Sequence, residues 1–285
     1  MKINWYPGHM AKTRRLMIDD MKNVDIVCEI VDARIPVSSR NPDLFEITKN
    51  KKRLIVLNRA DQADKNMTAK WEKHFKEQGY FVIITDAQHG VGVNAFKSEL
   101  KKIMAEEIQR NIDKGMAGKA IRVMVIGVPN VGKSSFINRV LGKKSAAAAD
   151  KPGVTRSKQW FSLGDGIDLM DTPGMLPSKI EDETSGVMLA FTGTIRDEIL
   201  DIEELACEFI KTITELNFDI FVKRYNITKE EDEIPYDTLT RMAKARGFLL
   251  SRGEYDTERM AKVLLDEFRS GKLGRITLAA PADFA

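Results

Sequence analysis

Residues 127–134 read Gly-Val-Pro-Asn-Val-Gly-Lys-Ser, the G-x-x-x-x-G-K-[ST] pattern, directly after the apolar run Ile-Arg-Val-Met-Val-Ile at 121–126. Such a loop has to leave a strand and enter a helix, because its N–H groups close on an anion only at a helix N-terminus. A strand–loop–helix unit is therefore placed at mid-chain. Further apolar runs at 25–32, 53–58 and 80–85 read as buried strands, and 160–163 with 166–170 as a strand pair leading into Asp171. Helical spacing is found over 7–21, 66–78 (through Trp71 and Phe75) and 93–111. Strands alternating with helices predict a doubly wound, mainly parallel sheet, in which ligands gather beyond the carboxyl ends of the strands.

Two more short motifs stand at strand ends: Asp171-Thr-Pro-Gly174 and Asn58-Arg-Ala-Asp61. A linear GTP-binding domain runs phosphate loop, switch Thr, Asp-x-x-Gly and then Asn-Lys-x-Asp. Here the last element comes first, so the circle of motifs is reopened between its third and fourth members. In that arrangement Asn130, Val131, Gly132, Lys133, Ser134 and Ser135 bracket the phosphates. Lys133 reaches the β- and γ-phosphates and the Ser134 hydroxyl is a ligand for Mg²⁺. Asp171 holds Mg²⁺ through water, Gly174 N–H meets the γ-phosphate, and Thr155 is the switch threonine that joins the metal when that phosphate is present. An ordinary Pro-Gly turn is the plain alternative for Thr155. Asp61 accepts from guanine N1–H and the exocyclic amine, a pair adenine does not offer. Arg59 lies over the base plane, and Asp86 and Ala87 belong to the loop whose backbone touches the base oxygen. Asn130 is either a ligand for K⁺ beside the β–γ bridge or a purely structural loop residue.

Many GTPases place a Gln after Asp-x-x-Gly to orient the attacking water. This chain has Met175 and Leu176 there, and an apolar side chain cannot polarise water. Slow intrinsic hydrolysis is expected, with completion by another group. His9, in Trp5-Tyr-Pro-Gly-His9-Met, is the candidate: an imidazole can order water near neutral pH, or it packs on Trp5 or Tyr6 at a helix start.

After about residue 180 the strand pattern stops, and helices are expected at 186–201, 202–217, 237–248 and 256–270, the last N-capped by Asp256. The domains expected are residues 1–180, the α/β part, and 181–285, a small all-helical part. Two distant cysteines, Cys28 and Cys207, exclude a disulfide framework or zinc cluster and fit a reducing compartment. The chain opens on no apolar signal-peptide core and holds no run of about 18 apolar residues, so a cytoplasmic protein without a membrane anchor is expected. Net charge is only +3, yet residues 241–275 hold nine basic against five acidic side chains. Such a patch is a route to a polyanion.

With these residues in view, the chain resembles the circularly permuted GTPases of ribosome assembly. The resemblance covers nearly the full length and includes the Trp5-Tyr-Pro-Gly-His-Met10 opening, Asp32-Ala-Arg34-Ile-Pro36, the permuted motifs and Gly271-Lys-Leu-Gly-Arg-Ile-Thr277. Arg59 departs from the family's usual Lys, and Ala146-Ala-Ala-Ala149 from its Gly-rich switch stretch. The resemblance implies a circularly permuted P-loop GTPase domain followed by the helical domain, and hydrolysis of GTP to GDP stimulated by the large (50S) ribosomal subunit or its precursor in late maturation. It also implies a catalytic His9 and rRNA binding by the helical domain, with no DNA expected. The RNA face assigned on charge is Arg241, Lys244, Arg246, Arg252, Arg259 and Lys262, with Lys12, Arg14 and Arg15 adding to it. Rival readings are a small-molecule kinase, a nucleotide-gated scaffold with little hydrolysis, and a GTPase of tRNA or the small subunit.

Overall fold

The computed structural model describes residues 10–142, 159–177, 182–251 and 253–284. His9, Thr155, Arg252, the 146–149 stretch and the Lys12 side chain lie outside the described part. The strands are β1 (Ile26–Asp32), β2 (Lys52–Asn58), β3 (Phe81–Ile84), β4 (Ile121–Ile126), β5 (Gln159–Ser162) and β6 (Ile167–Asp171). They form one six-stranded sheet of order β3-β2-β1-β4-β6-β5, parallel except for β5 against β6. The chain winds outward from β1 to β3, then returns to β4 on β1's other side. That reversal opens a crevice between the ends of β1 and β4.

β1 is buried along its whole length, as a strand covered on both faces has to be. On one face Val27, Met124, Ile126, Met170 and Met175 pack with Met17 of α1 (Met10–Asp20) and Leu44 of α2 (Pro42–Thr48). Farther along that face, Val31, Ile55 and Leu57 pack on Trp71 and Phe75 of α3 (Lys65–Glu77). The alternate residues Ile26, Cys28, Ile30, Leu54 and Val56 are fully buried as well. Burial pushes the Cys28 thiol up, so it remains a small apolar filler.

Three sequence expectations change. The helix expected over 93–111 is two, α4 (Ala95–Ile103) and α5 (Ala105–Asp113), because Met104 leaves helical geometry and is buried. α2 was not expected; its signal is Asn41, whose side chain accepts from Asp43 N–H at 2.9 Å with Pro42 at the first turn. The helix expected over 186–201 is α7 (Glu183–Phe191), α6 (Lys133–Leu141) being the helix that follows the phosphate loop. Gly193 at φ 71° turns the chain, and the Arg269 guanidinium donates to the carbonyls of Phe191 and Ala190 at 3.0 and 2.9 Å. A cation there complements the C-terminal end of the helix dipole.

The helical unit continues with α8 (Ile202–Asn217), α9 (Asp219–Tyr225), α10 (Pro235–Ala245) and α11 (Thr257–Arg269). Its core is a run of rings, Phe191 to Phe209 at 5.1 Å and Phe209 to Phe268 at 4.8 Å, with Leu205, Ile213, Leu239, Met242 and Leu264 fully buried. By compactness this unit spans Ile180–Leu278, whereas Ala279–Ala285 belongs with Trp5–Lys179. The right-hand boundary therefore differs from the one expected. Its cause is local: Trp71 Nε1 donates to the Ala279 carbonyl at 2.9 Å, and Ala279 packs on the cluster beneath α3.

Candidate functional site

The phosphate loop follows β4 and opens α6, Asn58 ends β2, Asp86 lies two residues beyond β3, and Asp171 ends β6. All these motifs stand at the carboxyl edge of one sheet. The loop's own backbone demands its sequence. Asn130 and Gly132 have φ of 64° and 88°, the left-handed region. A Cβ on Gly132 would lie 2.4 Å from Asn58 Nδ2, and one on Gly127 2.7 Å from the Ile30 carbonyl.

Asn58 is buried and does more than face a base. Its Nδ2 donates to the Val131 carbonyl at 2.8 Å, while Oδ1 accepts from Ala87 N–H at 3.0 Å and from the Thr85 hydroxyl at 3.1 Å. It thereby ties the phosphate loop to the loop after β3. Arg59, itself at φ 60°, sends Nη2 to the Asn130 carbonyl at 3.0 Å. Asp61, Asp86 and His89 bring their side-chain ligand atoms within 4.8 Å of one another. Asp86 is buried and accepts from His89 N–H at 3.0 Å, with His89 Nδ1 2.6 Å from its other oxygen.

On the phosphate side Lys133 Nζ donates to Asp171 Oδ1 at 2.8 Å, and both groups are buried. Ser134 is half-buried and Ser135 exposed at the start of α6. Gly174 sits against the loop so closely that an added Cβ would be 3.0 Å from Pro129 N. Thr172 Oγ1 donates to the Val125 carbonyl at 2.7 Å and Asn41 Nδ2 to the Met175 carbonyl at 2.7 Å, so this segment is held from two sides. Met175 is 2% exposed and belongs to the core cluster of α1, α2, β1 and β4. The position that carries a Gln in other GTPases thus faces the interior.

Sequence reasoning left three contributors without a role. Asp32 is buried at the end of β1; its carboxylate accepts from Arg34 N–H, Nε and Nη2 at 3.0, 3.0 and 2.7 Å. Burial pushes this carboxyl up, but the Arg34 and Arg59 guanidiniums outweigh it and hold it below its ordinary value. Arg139 of α6 donates to the carbonyls of Ala87 (3.2 Å) and Gln88, bracing the base-side loop. His89, read as a turn residue, locks that turn through Asp86. The Asp-x-x-His-Gly spacing is the signal that could have found it.

Among the residues assigned to an RNA face, Arg241 is spent within its own unit. It donates to Glu233 at 2.6 and 2.7 Å, to Glu230 at 2.7 Å and to the Thr228 carbonyl at 2.7 Å. Arg246 joins Arg224 and Tyr225 around the buried Glu267, and Lys262 pairs with Glu258 one turn away. Arg259 lies over the Phe248 ring at 4.2 Å, and Lys244 is exposed. Arg14 and Arg15 are exposed on α1.

Sheet order, phosphate loop, Asp-x-x-Gly and the early Asn-x-x-Asp together define a circularly permuted P-loop GTPase. Residues 122–235 match the 50S ribosome-binding GTPase family, a match that starts in β4 and so leaves Asn58–Asp61 outside it. Ribosome biogenesis GTPase A of Priestia megaterium is 42% identical over 99% of this chain and 98% of its own, and that of Thermotoga maritima 32% identical over 99% and 95%. The crystal structure of GNP-bound YlqF from T. maritima superposes with a TM-score of 0.66 at 29% identity, covering 95% of this chain and 98% of that one. A GDP-bound YlqF structure gives 0.67 at 28%, covering 94% and 100%. The chain belongs to the ribosome biogenesis GTPase A family and is a GTP-hydrolysing enzyme of ribosome biogenesis with a ribosomal partner. The kinase reading is thereby set aside. Among the described residues no helix is long and apolar enough to cross a membrane.

Proposed function

We propose that this GTPase is a cytoplasmic, nucleotide-switched factor in late maturation of the large (50S) ribosomal subunit, binding its precursor and rRNA, with hydrolysis stimulated by that subunit. The observation that carries the reading is the burial of Met175, which leaves the usual water-orienting position facing the core. An enzyme so built holds GTP without consuming it quickly, and a partner that completes the site then sets the moment of hydrolysis. His9 is the residue proposed to orient water.

The chain's own groups divide the remaining work. Asp61 reads the guanine edge, and Asp86 and Ala87 frame the base. The backbone amides from Val131 through Ser135 surround the phosphates, and Lys133 shifts its ammonium from Asp171 toward the β- and γ-oxygens. Gly174 N–H registers the γ-phosphate. The Ser134 hydroxyl is a hard oxygen donor of the kind Mg²⁺ takes, the buried Asp171 would hold the ion through water, Thr155 would be a further ligand, and the Asn130 side chain is the proposed K⁺ ligand. Bound there, these cations would neutralise charge on the phosphates. In the helical unit Lys244, Arg252 and Arg259 are the strongest rRNA candidates, since Arg241 is tied into an acidic pocket.

The test is GTP hydrolysis in potassium and in sodium buffer, with and without purified large subunits, for wild type and His9→Ala. Slow basal turnover, stimulation by subunits, and loss of stimulation in a variant that still binds GTP are expected. A rate indifferent to large subunits would sink the assignment.

A further inference from the structure

The Arg59 guanidinium faces two ways. Nη2 donates to the Asn130 carbonyl at 3.0 Å, inside the phosphate loop, while Nε lies 3.7 Å from Asp32 Oδ2 at the end of β1. A lysine ammonium is a single point charge, whereas the planar fork presents donors along separate directions and can serve a carbonyl and a carboxylate together. Asp32 is fixed in turn: Arg34, 1% exposed, grips both its oxygens, and Ser39 Oγ accepts from its backbone N–H at 3.0 Å. The chain Arg34–Asp32–Arg59–Asn130 therefore runs from the strand at the topological switch point to a left-handed residue of the phosphate loop, φ 64° at Asn130.

We propose that Asp32 is a positioning residue for guanine-nucleotide binding, acting through Arg59 to hold the phosphate loop at Asn130 and to set the guanidinium over the base. The proposal rests on the site reading given above. An Arg held at one end by a buried carboxylate loses little further rotamer freedom when nucleotide arrives, which favours the bound state. The Asp-Ala-Arg-Ile-Pro motif at 32–36, distant in sequence from every phosphate-binding residue, thereby acquires a role in the site.

Dissociation of the N-methylanthraniloyl derivative of GDP, followed by fluorescence, tests this with Asp32→Asn, Arg59→Lys and the double variant. Each single change is expected to speed dissociation about tenfold, because each breaks a link of the same chain, and the double variant no more than either single. KM for GTP should rise while kcat at saturation holds. Single effects that multiply in the double variant, or wild-type dissociation from Asp32→Asn, would overturn the coupling. If Asp32→Asn does not fold, judged by circular dichroism, Arg59 decides. Arg59→Lys is expected to match Arg59→Met, and a wild-type rate in Arg59→Lys overturns the proposal. Failure of the wild type to bind the GDP derivative would overturn the site reading itself, a different result from any of these.

Discussion

Replacing Asn58 by Ala is expected to weaken the fold as well as the site. The side chain makes three buried hydrogen bonds, to Val131 O, Ala87 N and Thr85 Oγ1, at 2.8, 3.0 and 3.1 Å. At about 1 kcal/mol net for each, with a further penalty for backbone groups left buried without a partner, the loss comes to roughly 3–4 kcal/mol. For an α/β unit of this size the melting midpoint should fall by about 6–15 °C. Thr85→Val, which removes one of the three bonds, should cost about 1 kcal/mol. Asn58→Asp keeps the acceptor but sets an oxygen against the Val131 carbonyl, so it should be no milder than Ala. The assay is thermal melting by circular dichroism without added nucleotide, which separates the loss of the bracket from the loss of ligand. A midpoint for Asn58→Ala within about 2 °C of wild type would refute the idea that this residue joins two loops of the site.

Met175→Gln is expected to leave basal hydrolysis unchanged and to destabilise by about 2 kcal/mol, because an amide is placed in an apolar cluster; a raised basal rate would contradict it. Gly174→Ala sets a methyl 3.0 Å from Pro129 N, and single-turnover hydrolysis should fall at least about tenfold with the fold intact by circular dichroism. Glu267 is buried, which raises its carboxyl pKa, but hydrogen bonds from Arg224 and Tyr225 and the nearby guanidiniums outweigh this and hold it below its ordinary 4.5. Its contribution is complete above that value and is lost as pH falls through the lower folded one. Acid melts of the Glu267→Gln variant should accordingly be flatter there than those of wild type.

The strand–loop–helix at 121–141 was legible because its motif and its apolar run report on the same few neighbouring residues. The Asp256 cap was legible for the same reason: its side chain accepts from Arg259 N–H at 2.9 Å, three residues on. Asn58's second role was not, since its bond to Val131 joins residues 73 apart. Charge counting placed Arg241 on a solvent-facing patch. Glu230 and Glu233, the acids that enclose it, precede it by 11 and 8 residues and enter no count of local surplus. Met175 was legible as the wrong chemistry for water, but only the packing shows that its side chain points inward. The split at Met104 and the end of α7 depend on which side chain reaches back from elsewhere in the fold, and periodicity carries no record of that.

The return of residues 279–284 to α3 sets an order of events during synthesis. Trp71, fully buried in the finished molecule, meets its carbonyl partner only 208 residues later. At 5–20 residues per second a ribosome takes about 10–40 s to make that stretch. Throughout that interval the indole N–H and the adjoining apolar surface of α3 lack their final cover, while the helical unit is being made. The nascent α/β layer therefore waits, incomplete at one face, for a segment encoded beyond an entire second unit.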